Sequence, residues 1–351
     1  MASRIHPLTR LTSQALENLR IQTEATIRAS SENSQVNILR LVVRDFKRPN
    51  RRSNLWGGPI DLILESSDAV NVTTPLWIKV SNHPHSGFFD ELRRLYELSL
   101  QRNLAGLIPR PYAYDEDSAL LITELVPGLC PLNSFLANAA LGNVERIVSL
   151  AKDTGHWLAN FHSLDWDVDG PTIEEWTAPL IDRMIESRLY SREIVNRLVK
   201  SEEFKRSRHI RLPITCLHKD FTLRNVLCTD NGLDVIDWDA LGHPGTPDKD
   251  PPWNDIGACL VNVESQIRYF PLVRNSSLRL FGQAMLDSYE KSCTHAIGPR
   301  RLTSLLVRLR YDMELIGVPP LSRAYTGMRG AAFRRLFRRR LCREIVALAS
   351  A

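Results

Sequence analysis

Strand-like and helix-like hydrophobic patterns occupy different parts of this 351-residue chain. The strand-like runs lie at residues 36–43, 60–65, 76–80 and 120–125. Helical spacing of apolar residues occurs at 12–29 and 88–101, and then dominates at 144–163, 174–200, 255–269, 277–291, 300–316 and 331–349. A chain that passes from strands to helices in this way is expected to form a small part that contains a sheet and a larger helical part.

Two polar loops interrupt the helical part. Residues 218–225 read HKDFTLRN, and twelve positions after Asn225 a short apolar strand ends in Asp237-Trp238-Asp239. This spacing places a carboxylate, an amide and a second carboxylate on two loops that one hairpin joins. Hard oxygen ligands suit Mg²⁺ on a nucleoside triphosphate, and a further carboxylate can accept the proton of an attacking hydroxyl. Each residue alone is explained as well by a turn, but the combination favours phosphoryl transfer.

The two loops resemble those of the aminoglycoside phosphotransferase and choline-kinase-like family. In that family the catalytic loop reads HxDxxxxN, and a metal-binding aspartate follows a strand, as Asp237 follows Ile236 here. The resemblance implies that Asp220 is the catalytic base and that Asn225 and Asp237 hold the metal. It also implies ATP or GTP and Mg²⁺ as cofactors.

Further segments match the family's supporting elements. Asp255, followed by Ile256 and Gly257, is similar to the aspartate that braces the catalytic loop, and the resemblance gives His218 and Asp239 supporting roles as well. Residues 155–165 (GHWLANFHSLD) are similar to the family's helix that ends in an LHS-like stretch. An amphipathic helix with His162 on the surface explains that segment equally well.

The resemblance implies an α+β, bilobal protein-kinase-like fold. The expected domains are a small β-sheet N-lobe (residues 1–126) and a larger, mainly helical C-lobe (residues 127–351) that carries the loops at 218–239. The implied reaction transfers the γ-phosphoryl group of ATP to a hydroxyl of an aminoglycoside-, choline- or sugar-like small molecule. Only 15 residues separate Asp239 from Asp255, too few for the peptide-docking segment of a protein kinase.

The N-lobe offers nucleotide contacts. Lys79 is one of only eight lysines and lies in an apolar strand, where an ammonium group needs a partner. By resemblance it contacts the α and β phosphates and pairs with Glu91, with Glu97 as the poorer choice. The resemblance also makes residues 124–128 the hinge, with Glu124 and Val126 next to adenine.

The phosphate loop departs from the family pattern. Where the family has a turn of small residues, residues 44–52 read RDFKRPNRR and are followed by Gly57 and Gly58. These glycines allow a close approach of backbone to phosphate. Alternatively, the 44–58 loop is an irregular insertion, and the protein is a catalytically weak or inactive nucleotide-binding member of the kinase fold.

Charge and composition exclude other classes. The net charge of +5 comes from seven arginines at 329–343; without them 38 basic side chains face 40 acidic ones, a net charge of −2. We therefore expect no nucleic-acid partner. No apolar run approaches the roughly 18 residues that span a bilayer, and six scattered cysteines suggest reduced thiols. The prediction is a cytoplasmic protein, with organelle targeting left open by the acid-free first 16 residues.

Two charged segments remain open to interpretation. The arginine-rich helix at 333–348 is either a terminal helix that packs on the C-lobe or an amphipathic helix that contacts an anionic surface. The acid-rich segment, residues 165–175, carries carboxylates at 165, 167, 169, 174 and 175. It either attracts an amine-bearing acceptor or is a solvated loop and helix start. The identity of the acceptor does not follow from the sequence.

Overall fold

The computed structural model describes residues 12–30, 37–43, 57–65, 72–80, 87–126, 130–132, 134, 136, 144–229, 232–238, 241, 249–269, 275–314 and 327–350. The helices are α1 Ser13–Ser30, α2 Gly87–Gln101, α3 Val144–His162, α4 Ile173–Ser187, α5 Arg192–Lys200, α6 Glu202–Ser207, α7 Trp253–Tyr269, α8 Asn275–Ser292, α9 Arg300–Glu314 and α10 Gly327–Ala349. The strands are β1 Asn37–Val43, β2 Gly57–Glu65, β3 Val72–Val80, β4 Pro111–Asp115, β5 Leu120–Glu124, β6 Cys130–Pro131, β7 Trp166–Asp167, β8 Ile214–Cys216, β9 Val226–Thr229, β10 Gly232–Val235 and β11 Lys249–Asp250.

By their internal contacts the residues fall into two units. The first comprises Met1–Leu129 and Asp234–Pro247, and the second comprises Cys130–Leu233 and Asp248–Ala351. The expected boundary after residue 126 lies three residues before the first break. Residues 234–247, which were expected in the second domain, group with the first unit, where Asp237 forms an ion pair with Lys79.

The first unit is built on an antiparallel sheet with the strand order β1-β2-β3-β5-β4. Alternation in β3 places Leu76, Ile78 and Val80 in the core, where Ala15 and Leu19 of α1 pack with them. Burial of each large aliphatic side chain contributes about 1.5–3 kcal/mol to folding. Lys79 alternates with these residues, so its side chain lies on the other face and is only 12% exposed.

The second unit is mainly helical, as predicted. Helices α3 and α8 pack so closely that a Cβ on Gly155 would lie 2.2 Å from the carbonyl oxygen of Met285. Only glycine fits this contact. Two small three-stranded sheets, with orders β10-β9-β6 and β11-β8-β7, are inserted among the helices.

Two predictions about secondary structure need correction. The helix predicted over 174–200 is two helices, because Arg188 takes a left-handed conformation (φ 56°) and Ser191 caps α5 through the backbone N–H of Ile194. Strand β4 was not predicted at all. Its sequence, Pro111–Asp115, is buried at four of five positions and therefore lacks the alternation that marks a strand with one exposed face.

The arginine-rich helix α10 packs against α5 and α9. Phe337, Leu341, Ile345 and Leu348 are buried, which supports a terminal helix packed on the second unit. Leu336 of the same helix is 64% exposed. None of the helices in the described ranges combines the length and apolar character needed to cross a membrane.

Candidate active site

The loop at residues 218–225, called here the HxDxxxxN loop, begins two residues after β8 and ends where β9 begins. Its first two peptide groups are held by Asp255 at the start of α7. One carboxylate oxygen of Asp255 accepts the N–H of His218 at 2.7 Å, and the other accepts the N–H of Lys219 at 2.9 Å. Asp255 is 1% exposed, so it holds the loop from the interior, in the position that the resemblance implied.

His162 connects this brace to α8. It is fully buried, so the alternative of a surface histidine is wrong. Its Nε2 lies 3.3 Å from Asp255, and its Nδ1 lies 2.8 Å from the hydroxyl of Tyr289. Burial raises the pKa of Tyr289 well above its ordinary value, so the hydroxyl stays protonated. The imidazole of His162 thus bridges this hydroxyl and the carboxylate of Asp255 through its two ring nitrogens. The LHS-like stretch was the signal in the sequence for this role.

Aromatic packing fixes the middle of the loop. Phe221 is fully buried and stacks on Trp157 of α3, with ring centroids 5.5 Å apart. His218 is also fully buried, and its Nδ1 accepts the backbone N–H of Asp220 at 3.3 Å. The loop is therefore anchored by buried groups on both sides of Asp220, which itself is partly exposed.

Asp220 and Asn225 are joined by hydrogen bonds. The side-chain amide of Asn225 donates to the backbone oxygen of Asp220 and to its Oδ2, both at 2.9 Å. Asn225 is 4% exposed, and these bonds fix its rotamer. Among the described residues no hydrogen bond falls on Oδ1 of Asp220 or on the side-chain oxygen of Asn225. Two hard oxygen atoms of neighbouring side chains thus keep the capacity to accept further ligands.

Two residues of the polar loops have left-handed backbones. Lys219 has φ 65° and Asp237 has φ 71°, a conformation that costs a residue with a Cβ roughly 1–2 kcal/mol. Such strain persists only where surrounding bonds impose it, and it concentrates at functional sites. For Lys219, the bond from its N–H to Asp255 supplies the constraint.

In the first unit, Lys79 forms an ion pair with Asp237. The Nζ of Lys79 lies 3.2 Å from Oδ1 of Asp237, and the side chains are 12% and 18% exposed. The expected partner, Glu91, instead receives two hydrogen bonds of 2.7 Å from Arg94, one turn along α2. The sequence pattern could not separate these pairings, because Arg94 competes locally for the carboxylate.

Only some of the remaining residues that were predicted to contact the nucleotide lie in the described ranges. Gly57 and Gly58 begin β2 and pair in register with Lys79 and Ile78 of β3, so the two glycines flank the lysine strand. Glu124 ends β5, exposed, and its carboxylate accepts the N–H of Arg110 at 3.2 Å. Val126 is partly buried. Asp239, residues 44–56 and residues 127–129 lie outside the described ranges.

Four of the five carboxylates of the acid-rich segment have partners in the fold. Asp165 pairs with Lys249 at 2.5 Å, and Asp167 accepts the N–H of Asp169 at 2.9 Å. Glu175 forms a capping box with Thr172, and hydrogen bonds from the Thr172 backbone and side chain lower the pKa of Glu175. Glu174 lies 3.9 Å from Arg208. Across the described ranges, no three His, Cys, Asp or Glu side chains converge as a metal-binding group.

Arginines of α10 also form ion pairs with carboxylates of the fold. Arg338 binds the fully buried Asp312 at 2.8 Å, and Arg340 pairs with Glu344 at 3.1 Å. Glu344 in turn binds Arg308 of α9 at 2.6 Å. The pairs of Arg338 with Asp312 and of Glu344 with Arg308 tie α10 to α9.

Comparisons with known proteins agree with this architecture. The sequence model of the phosphotransferase enzyme family matches residues 62–285, well over half of the chain. No curated protein sequence matches. A glucosamine kinase in complex with glucosamine, ADP and inorganic phosphate has a TM-score of 0.54 at 12% identity, over 86% of this chain and 94% of that one. Crystal form B of glucosamine kinase has a TM-score of 0.51 at 13% identity, over 97% and 98%. The chain therefore has a protein-kinase-like fold and belongs to the phosphotransferase enzyme family.

Proposed function

We propose that this protein is an ATP- and Mg²⁺-dependent kinase that phosphorylates a hydroxyl group of a small molecule. The observation that carries the proposal is the geometry of the HxDxxxxN loop. Buried groups anchor its backbone, while Oδ1 of Asp220 and the side-chain oxygen of Asn225 accept no hydrogen bond within the described residues. A structural turn has no need of such rigid anchoring around polar atoms that the fold leaves available.

In the proposed reaction Asp220 is the general base. The acceptor hydroxyl donates its proton to Oδ1 of Asp220 as its oxygen forms a bond to the γ phosphorus. The bond between that phosphorus and the β–γ bridging oxygen breaks, and ADP leaves with the electron pair. Because Asn225 binds Oδ2, the carboxylate cannot rotate freely, and Oδ1 is held ready for the hydroxyl.

The residues present fit a magnesium ion held together with nucleotide phosphates. Mg²⁺ prefers octahedral oxygen coordination and usually takes one or two protein ligands, with waters and phosphates supplying the rest. The side-chain oxygen of Asn225, which accepts no hydrogen bond within the described residues, agrees with that mode. Asn225 and Asp237 are the proposed ligands, and the bound ion would neutralise charge on the phosphates.

Residues of the first unit are proposed to hold the nucleotide. Lys79 is charged, mostly buried and fixed by Asp237, so it can serve the α and β phosphates. Glu91, which pairs with Arg94, is retained as a weaker candidate. Gly57 and Gly58 would let backbone N–H groups approach phosphate, and the backbone at Glu124 and Val126 would bind adenine.

The acceptor is proposed to be a sugar-like or amine-bearing alcohol. Glucosamine enters the list of candidates because glucosamine kinases share the fold, although their identity to this chain is only 12–13%. The acid-rich segment gives little support for an amine, because four of its five carboxylates have partners in the fold.

A panel assay tests the proposal. Purified protein is incubated with ATP and glucosamine, other sugars, choline-like amines, homoserine or aminoglycosides, with Mg²⁺ or with EDTA, and ADP formation and product mass are measured. We expect Mg²⁺-dependent transfer to at least one acceptor, lost in Asp220→Ala and Asp237→Ala. If ATP binds but no acceptor is phosphorylated, the protein is a nucleotide-binding member of the family and the proposed function is wrong.

A further inference from the structure

The carboxylate of Asp220 has a second partner that family motifs do not include. Nη2 of Arg224, four residues further along the HxDxxxxN loop, lies 3.0 Å from Oδ2. Asn225 donates to the same oxygen at 2.9 Å. Both recorded donors to the carboxylate therefore meet at Oδ2, and within the described residues Oδ1 receives none.

The turn after Asp220 sets this geometry. The N–H of Thr222 donates to the backbone oxygen of Asp220 at 2.7 Å, and the N–H of Asn225 donates to that of Thr222 at 2.9 Å. The chain curls back on itself, so the side chains of Arg224 and Asn225 return to the carboxylate. Leu223, which lies between Thr222 and Arg224 in the chain, is fully buried and prevents the turn from shifting.

A contribution to the stability of the fold does not explain the contact of Arg224 with Asp220. Its side chain is 62% exposed and that of Asp220 is 29% exposed, and exposed ion pairs contribute little to stability. Its planar guanidinium has five N–H donors, and the recorded contact with Asp220 uses one of them. A side chain with these properties can orient the carboxylate of Asp220 and can donate further hydrogen bonds to a substrate that approaches it.

We propose that Arg224 is a positioning residue for phosphoryl transfer. With Asn225 it locks Oδ2 of Asp220, so that Oδ1 is the oxygen that takes the proton of the acceptor hydroxyl. When that proton arrives, the carboxylate becomes neutral and Arg224 loses its counter-charge beside the newly phosphorylated acceptor. The inference rests on the proposed function, because it assigns Arg224 a role through the base.

Kinetics of three variants test the role. Arg224→Ala is expected to lower kcat by about 10- to 10²-fold because the base is mispositioned, with KM for ATP within about 2-fold of wild type. Arg224→Lys should recover part of kcat, since lysine keeps the charge but not the planar fork. Arg197→Ala is the matched control, because Arg197 forms an exposed pair with Glu193 at the same i,i+4 spacing, and it should leave kcat unchanged.

Three results would overturn the inference. One is a kcat of Arg224→Ala within about 2-fold of wild type; another is a loss of kcat accompanied by a fall in melting temperature, which would make Arg224 structural. A rise in KM for ATP at constant kcat would also contradict it, because Arg224 would then bind the nucleotide.

A measurement without turnover separates this inference from the proposed function. Asp220 is labelled with a water-soluble carbodiimide, and the labelled peptide is quantified by mass spectrometry. We expect labelling to be ~3- to 5-fold faster in Arg224→Ala than in wild type or Arg197→Ala, because the carboxylate loses the partner on Oδ2. Equal rates would refute the positioning role even if the wild type phosphorylates an acceptor. If labelling is faster in Arg224→Ala but the wild type phosphorylates no acceptor, the contact between Arg224 and Asp220 is supported and the proposed kinase function is wrong.

Discussion

The HxDxxxxN loop and the acid-rich segment are both rich in polar residues, and both invited a functional interpretation from sequence. In the loop, buried partners hold the backbone, and two side-chain oxygens receive no hydrogen bond within the described residues. In the acid-rich segment, Glu175 caps a helix and Asp165 pairs with Lys249. The difference teaches that a candidate site is recognised by which polar atoms the fold leaves available, rather than by how many charges lie together.

Among the residues of the loop whose side chains are held by buried contacts, Asn225 is expected to show the largest loss of activity when it is replaced. Replacement by alanine removes a proposed metal ligand and the donor that fixes Oδ2 of Asp220. We expect kcat/KM to fall by about 10²- to 10³-fold, which corresponds to roughly 3–4 kcal/mol of transition-state stabilisation. Steady-state kinetics at several Mg²⁺ concentrations measure it, and Asn196→Ala on the exposed face of α5 is the control. If the Asn225→Ala variant stays active, Asn225 is not needed to bind the metal and the proposed metal site in the loop is wrong.

A loss of stability of similar size in free energy is expected where a largely buried ion pair holds two helices together. Arg308 is 9% exposed and pairs with Glu264 and Glu344, so Arg308→Ala leaves two carboxylates without their main counter-charge. We expect a loss of about 3 kcal/mol in the free energy of unfolding, measured by urea denaturation. Arg339→Ala, on the exposed face of α10, should change it by less than about 0.5 kcal/mol. Equal effects would mean that α10 is not held by these pairs.

A smaller effect is expected on lowering the pH. Burial alone would raise the pKa of Glu344, but the hydrogen bond and charge of Arg308 outweigh it and hold the pKa below its ordinary value of 4.5. A carboxyl group with a lowered pKa stabilises the fold above its unfolded pKa and loses that contribution as pH falls through the folded value. Stability of the wild type should therefore fall more steeply below pH 4.5 than that of Arg308→Ala. Parallel curves in urea titrations between pH 3 and pH 6 would contradict this.

The smallest effect concerns backbone strain in the HxDxxxxN loop. Lys219→Gly relieves the left-handed conformation but adds chain entropy to the unfolded state, so we expect a gain of only about 0.5–1 kcal/mol in stability. Urea denaturation measures it. Lys152→Gly, in the middle of α3, is the opposite control and should destabilise by about 1 kcal/mol. A loss of stability in Lys219→Gly would mean that the lysine side chain, rather than Asp255, holds the loop.

Sequence reasoning found what depends on local pattern. It placed α1 at 12–29 where the structure has Ser13–Ser30, and it assigned Asp255 to the brace that the structure shows. It missed β4, whose burial on both faces erases alternation, and it left open a surface position for His162, which is fully buried. It also paired Lys79 with Glu91 rather than Asp237, since partners 158 residues apart leave no periodic signal. The contact of Arg224 with Asp220 was not predicted, although the i,i+4 spacing was visible.

One matched pair of substitutions tests the central claim most directly. Asp220→Asn and Glu175→Gln each replace a carboxylate by an amide of nearly equal volume, one in the HxDxxxxN loop and one in the acid-rich segment. With the acceptor found in the panel assay, we predict that kcat falls by about 10²- to 10⁴-fold for Asp220→Asn, because the base is lost. Glu175→Gln should stay within about 2-fold of wild type, because glutamine can complete the same capping box. Equal rates for the two variants, or a larger loss in Glu175→Gln, would contradict the assignment of the reaction to the HxDxxxxN loop.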